Sequence, residues 1–386
     1  MSARVRLIVA LVSTGILFYV ALGSVLVRVL GDTTYSQLAL FNEVVRMVLD
    51  SYVEPVNVDR AMGAACRGLA EALDGESAYL DQQAFRLYNQ PASGAEAEVG
   101  LVLTRRFSFL MVVSARSGSP AAAAGLRPGD VIKTIDGRHT RTIAAPVGQQ
   151  MLRGQPGAVV KLTILRAGSD PIHVSLVRER LPPALPSSRV LETGEGYVRL
   201  PGLPQGTAAE LRAELESLKG AGARSLVLDL RNAAHGPLDE GVKVAELFLR
   251  GGIVARVARR NAPEQQLAAD ATKSVWERPV AVLTTRGTAG AAEIVAAALL
   301  DAERAQVVGE PTFGIAPIQK AIPLPEGGML LTVGKYLSPK GRSIHGEGVA
   351  PSVEVAAPLE AGAQDKDPIL DRALELLAGL ELRKAA

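Results

Sequence analysis

The chain has 386 residues, with 42 Lys and Arg against 40 Asp and Glu, so its formal net charge is only +2. That balance argues against nucleic-acid binding and sets no demand for an acidic partner, while the length allows two or three domains and a sizeable core. The single cysteine, Cys66, excludes an internal disulfide and a cysteine-built metal site, and His139, His173, His235 and His345 lack metal-ligand spacing. Neither a cofactor nor a metal is expected.

Leu7 to Val27 is an apolar run long enough to cross a hydrocarbon layer of about 30 Å. Arg4 and Arg6 precede it and Arg28 follows, which favours a cytoplasmic N-terminus. The run is long for a signal-peptide core and lacks a clear Ala-x-Ala site, so residues 1–31 are read as an uncleaved signal-anchor in the cytoplasmic (inner) membrane. A cleaved signal is the alternative, and either one exports the remainder, into the periplasm where the cell has two membranes. Residues 32–95 form a helical region. Leu38, Phe41, Val44, Val45 and Val48 recur at helical spacing within Tyr35–Tyr52, and Val58–Leu73 is a second amphipathic segment. Asn89–Ala95 carries Pro91, Ser93 and Gly94 and reads as a linker.

Short β-rich runs follow at Gly100–Thr104, Leu110–Val113, Val131–Ile135, Val159–Leu165 and His173–Leu176. Between them lies Ser119-Pro120-Ala121-Ala122-Ala123-Ala124-Gly125-Leu126-Arg127-Pro128-Gly129-Asp130-Val131-Ile132. Pro120 suits the first position of a short helix, Gly125 its left-handed end, and Gly129-Asp130 a turn into the next strand. This composite pattern resembles the PDZ signature, and the domain is placed at 96–181, mainly Glu98–Arg180. The flanking helix of its groove is expected over Ile143–Leu152. The resemblance puts a carboxylate-binding loop and edge strand at Val99, Gly100, Leu101 and Val102, with Val147 and Met151 lining an apolar pocket for the last ligand residue.

The last region, 182–386, begins at the proline-rich hinge Leu181–Ser188 and reads as an α/β core. Gly196–Leu200, the amphipathic Thr207–Lys219 and the apolar Ser225–Leu230 form a strand, helix and strand, hence a right-handed crossover. Gly241–Phe248 reads as a helix, Ile253–Val257 and Met329–Leu337 as strands, and Pro368–Arg383 as a terminal helix with Ile369, Leu370, Leu374, Leu377 and Leu380 inward. The central stretch is Val280–Leu283, a buried strand, then the turn Gly287–Gly290, then the helix formers Ala291–Leu300. Strand, small-residue turn and helix is how an α/β enzyme presents a nucleophile beside backbone N–H donors, yet the turn carries Gly290.

That stretch resembles the carboxyl-terminal processing proteases, the S41 serine peptidases. Their first motif falls on Gly287, Thr288, Ala289, Gly290, Ala291, Ala292, Glu293 and Ile294, and their second on Gly309, Thr312, Phe313, Gly314, Ile315, Ala316 and Gln319. Leu73–Leu80, Leu228–Asn232 and Tyr336–Arg342 match further family phrases in family order. The resemblance implies a nucleophilic serine at 290, a lysine base at 315 and an orienting glutamine at 319; this chain has Gly290, Ile315 and Gln319. It also implies an oxyanion-loop glycine pair, where this chain has His235 and Gly236. Thr288 reads as a turn hydroxyl, and Lys320 should face away from Gln319. Loss of both dyad members makes ordinary Ser–Lys proteolysis implausible.

The expected protein is therefore an α/β (α+β) multidomain chain with a transmembrane helix, a helical region, a PDZ domain and an S41-like core. It is read as an exported, membrane-anchored pseudo-protease that binds peptide or protein C-termini. The alternatives are an active serine-type peptidase with a displaced nucleophile, and a structural partner of an active protease; a homo-oligomer is also open. Protease added to spheroplasts is expected to digest everything beyond about Asp32. Protection of that part, with cutting only at the first few residues, would mean the reverse orientation.

Overall fold

The computed structural model describes residues 36–89, 96–357 and 367–385. The expected transmembrane run lies outside the described residues, as does the linker beyond Asn89. Among the described residues no helix is long and apolar enough to cross a membrane. Two compact units divide at residues 65 and 66. The first contributes α1, residues 36–51, whose apolar positions Leu38, Phe41, Val44 and Val48 are exposed. Helix α2, Val58–Glu71, runs on into the second unit.

Within the second unit, the helical region is not purely helical. Strand β1, Ala78–Asp81, pairs antiparallel with a core strand, and α3, Gln82–Asn89, follows it. The family phrase ending at Leu80 is thus a strand of the core, and the boundary expected at residue 95 is not a packing boundary. Leu80 is almost completely buried, which is why this short piece pairs rather than frays.

The PDZ region has strands β2 Leu101–Arg106, β3 Phe109–Ala115, β4 Val131–Ile135, β5 Arg138–His139, β6 Val159–Leu165 and β7 Ile172–Val177, with helices α4 Pro120–Ala123 and α5 Ala145–Met151. The order is β2-β3-β4-β6-β7, with β5 beside β4, so among the described residues β2 is an edge. Ser119 caps α4 by accepting the Ala122 N–H, and Gly125 is left-handed after it. Asp130 accepts the Arg127 N–H and pairs with Arg166, holding the Gly-Asp turn.

The core begins within the expected hinge: β8, Ser187–Val190, pairs antiparallel with β9, Gly196–Arg199. Then come α6 Thr207–Gly220, β10 Leu226–Asp229, α7 Leu238–Glu246, β11 Ile253–Arg259, β12 Gln265–Ala268, β13 Val280–Thr284, α8 Ala291–Asp301, β14 Gln306–Gly309, β15 Pro317–Leu324, β16 Gly327–Leu337, β17 Val353–Glu354 and α9 Pro368–Ala385. One sheet runs β17-β14-β13-β10-β9-β8, parallel from β17 to β9. Alternation along β10 and β13 sends Leu226, Leu228, Val280 and Val282 toward α6, α7 and α8, and Val227, Ala281 and Leu283 toward α9. Ile369 and Leu377 of α9 are buried as expected, but Leu380 is exposed. The other core sheet runs β1-β16-β11-β12, with β15 on β16.

Helix α7 starts at Leu238, earlier than its sequence suggests, because Asp239 and Glu240 suit the positive end of the helix dipole. Gly241 is internal to α7 because it lies against α8: a Cβ there would stand 2.3 Å from the Ala291 carbonyl oxygen. Beneath the sheet, Arg231 pairs bidentately with Asp229 and also reaches Asp367 at 2.8 Å, tying the start of α9 to the end of β10. Tyr197 donates to the same Asp229 at 2.5 Å. Burial opposes the Asp229 charge, but the Arg231 guanidinium and the Tyr197 hydroxyl hold its pKa below the ordinary carboxylate value. Burial, with the Asp229 charge beside it, pushes Tyr197 up to about 12.

Because the folded pKa of Asp229 is depressed, its contribution is complete above the unfolded value of about 3.9 and is lost as pH falls through the folded one. Arg231→Met is expected to lower stability by about 3 kcal/mol near neutral pH, since it leaves a buried carboxylate unpaired. It should also reverse the sign of the Asp229 contribution, because an unpaired buried carboxyl is favoured when protonated. Denaturant midpoints of both proteins across pH 3–6 check this; parallel curves would rule the pairing out.

Candidate active site and peptide cleft

Gly290 is the N-cap of α8, with φ 66° and ψ −125°. A residue with a side chain is strained there, which is how a sharp strand-to-helix turn exposes a nucleophile. Glycine holds the same geometry without that cost. Space is not the obstacle: a Cβ on Gly290 would find Leu238 Cδ2 at 3.8 Å, the Ile315 carbonyl oxygen at 3.9 Å and the Ala234 carbonyl oxygen at 4.0 Å. The two positions matched to the dyad, 290 and 315, are therefore neighbours, and the loop before His235 borders them.

What holds them together is Glu293, fully buried in the first turn of α8. Its carboxyl accepts the N–H groups of Gly290 at 2.9 Å, Gly314 at 2.7 Å and Ile315 at 2.8 Å, and the Thr312 hydroxyl. Among the described residues no cation pairs with it. Burial pushes its pKa up from the ordinary carboxyl value against these four donors, which favour the charged form. The sequence places Glu293 only within the first family motif; its clamp on residues 312–315 needed the tertiary structure.

The nearby hydroxyls are committed. Thr288 is buried, accepts the Thr285 N–H at 3.0 Å and donates to the Leu230 carbonyl at 2.9 Å, a turn hydroxyl as its position suggests. Thr284 donates to the Glu310 carbonyl and Thr285 to Asn232 Oδ1. Ile315 is half-buried. Gln319 turns to another part of the chain: its Nε2 donates to the Glu76 carbonyl at 2.7 Å, while Lys320 beside it is exposed.

His235 is an exposed loop residue whose carbonyl accepts the Leu203 N–H at 2.6 Å. Gly236, at φ 128°, has no room for a Cβ, which would stand 1.8 Å from the Leu203 carbonyl oxygen. This loop faces the PDZ region across a cleft of about 490 Å³. Gly100, Leu101, Val102, Gln149 and Arg153 line the PDZ side, Asn232, Ala234 and His235 the core side, and Leu181–Ala184 the floor between them. Gly100 is left-handed, and a Cβ there would collide with Ser119 at 2.2 Å. Val99 lies in the PDZ core instead of the cleft.

The expected pocket residues Val147 and Met151 are misplaced by the sequence reading. Both line a second, smaller cavity with Tyr79, Leu80 and Ala84. Val147 packs against the cluster of Ala78, Leu80 and Ala144, and Met151 against the PDZ core. The face of α5 toward β2 carries Gln149, and Arg153, just beyond the end of the helix, lines the cleft with it. The edge strand's far end meets the core: Arg106 stacks over Phe313 at 5.9 Å, and Thr104 donates to Glu76.

Residues 194–355 match Peptidase family S41, and residues 111–166 match a PDZ domain. The carboxy-terminal-processing protease of Bartonella bacilliformis is 33% identical over 85% of this chain and 77% of its own length. This chain belongs to the carboxy-terminal processing proteases of family S41. The processing protease CtpA of Bacillus subtilis is 29% identical, covering 91% of this chain and 76% of its own. The solved photosystem II D1 C-terminal processing protease superposes with a TM-score of 0.70 at 28% identity, over 81% of this chain and 86% of that one. Membership accounts for the scaffold of PDZ domain and α/β core.

Gly290→Ala and Gly290→Ser are each expected to destabilise the protein by about 1–3 kcal/mol, the two nearly equally, because the cost is backbone strain rather than crowding. Urea midpoints test it; a neutral alanine, or a serine much worse than alanine, contradicts the strain account.

Proposed function

We propose that this member of the family is an exported, membrane-anchored protein without Ser–Lys peptidase activity, which recognises peptide or protein C-termini in the cleft between its PDZ edge strand and the former catalytic site. The observation that carries this reading is the turn at Gly290: it has the nucleophile's backbone geometry and no side chain, and the three neighbouring threonine hydroxyls are bound elsewhere. Removal of nucleophile and base together leaves the binding elements of such a site intact. Those elements are a left-handed Gly100 that allows close approach, an edge strand, and an apolar floor at Leu181–Ala184. The anchor in this proposal is the apolar run of residues 7–27, with the remainder outside the cytoplasm.

A second reading, an active serine peptidase with a displaced nucleophile, has one observation in its favour. Lys335 Nζ donates to Ser343 Oγ at 3.2 Å, and Lys335 pairs in register with Pro317, two residues beyond Ile315. The Ser343 proton, however, goes to the His345 carbonyl at 2.9 Å. A third reading, assembly with an active protease, predicts co-purification with one.

The purified full chain is expected neither to cleave unfolded or tailed substrates nor to label with fluorophosphonates, tested beside the Gly290→Ser/Ile315→Lys variant. Turnover that survives removal of contaminating proteases and vanishes with Ser343→Ala or Thr288→Ala would establish the displaced nucleophile instead.

A further inference from the structure

Among the described residues, strand β2 has a sheet partner on one side only, β3. Its other side faces α5, and there two of the outward backbone groups are already taken. Gln149 Nε2 donates to the Leu101 carbonyl at 2.7 Å, and the Leu103 N–H donates to Gln149 Oε1 at 3.2 Å. One side-chain amide thus satisfies a carbonyl and an N–H on the free edge, as the backbone of an added strand would. Two features hold the amide in place. Gly148 lets α5 lie close, since a Cβ there would stand 2.3 Å from Leu110 Cδ1. On its far side α5 is fixed by Val147 against Ala78 and Leu80.

We infer that Gln149 is a built-in competitor for the cleft: its amide stands in for ligand backbone along Leu101–Leu103, and a peptide C-terminus adds to β2 only by displacing it. This deepens the proposed C-terminus recognition and rests on that reading. The chemistry follows from the hydrogen bonds. A peptide that adds to the edge regains the pairs that Gln149 gives up, so displacement is nearly neutral in hydrogen bonding. Net affinity must then come from what Gln149 does not supply, a carboxylate at the Gly100 loop and apolar contact with the Leu181–Ala184 floor. Peptides lacking a free carboxylate keep only the apolar part of that surplus, and Gln149 selects against them.

The test uses the full chain in detergent, with a fluorescein-labelled extended peptide ending in Val-Ala-Val as the free acid and as the amide. Anisotropy titration is expected to show the free acid binding about tenfold more tightly to Gln149→Ala and Gln149→Met than to the wild type, roughly one net hydrogen bond. In parallel, the Leu103 amide should exchange faster in both ligand-free variants and slow again when the peptide is added. The methionine variant keeps the length of the side chain, so tightening in alanine alone would mean that space rather than the amide is the barrier, and would overturn the inference. Equal or weaker binding by both variants beside a binding wild type overturns it too, while leaving C-terminus recognition standing. Absence of binding to all three folded proteins removes both.

Discussion

The Glu293 carboxyl is the point on which the region around Gly290 and Ile315 depends. Three backbone N–H groups and a hydroxyl converge on it from two places far apart in sequence, the start of α8 and the segment 312–315. An unpaired backbone donor in a dry interior is costly, and here one side chain satisfies three of them. The clamp involves neither the side chain at 290 nor that at 315, only their N–H groups. This is why the scaffold can keep its form with glycine and isoleucine at those positions: the residues that would do chemistry are not the residues that hold the turn.

Gly290 then acquires a second meaning. The left-handed turn is required by the packing of α8 against α7, where Gly241 meets Ala291, and by the Ala289 N–H bond to the Ala233 carbonyl. With its path imposed from both sides, position 290 keeps the strained conformation whatever residue occupies it, and glycine occupies it without strain. A glycine at this position both lacks a nucleophilic side chain and relieves backbone strain.

The PDZ domain and this turn share borders. Arg106 lies over Phe313, whose N–H donates to the Thr288 carbonyl, and Glu76 receives Thr104 on one side and, through its carbonyl, Gln319 on the other. Gly75 allows this approach, since a Cβ there would stand 2.3 Å from the Arg105 carbonyl oxygen. The short phrase Asp74–Ser77 is therefore a three-way joint between the PDZ edge strand, β15 and the core sheet, although its residues carry no obvious chemistry.

Much of this was legible in the residue order. Local signals are short-range, so Pro120, Gly125 and Gly129-Asp130 mark the PDZ punctuation, and the apolar runs at Leu226–Asp229 and Val280–Thr284 mark strands covered on both faces. The motif spacing places residues 290, 315 and 319, and the absence of serine and lysine there needs no coordinates. Other features depend on which surfaces meet. Helical periodicity identifies a face of α5 but not its neighbour, so Val147 and Met151 were assigned to the groove that Gln149 and Arg153 occupy. Strand β1 reads as the tail of a helical region because its partner, β16, lies some 250 residues away. Gln319 keeps its family position yet bonds to Glu76, a partner that no spacing reveals. The sequence alone determined the order of the PDZ domain and the core, most of their strands and the glycine and isoleucine at 290 and 315, because these are written in local periodicity and residue identity. Only the tertiary structure decided what clamps the turn, what lines the cleft and what occupies its edge, because hydrogen bonds between distant segments are set by packing and leave no local period to read.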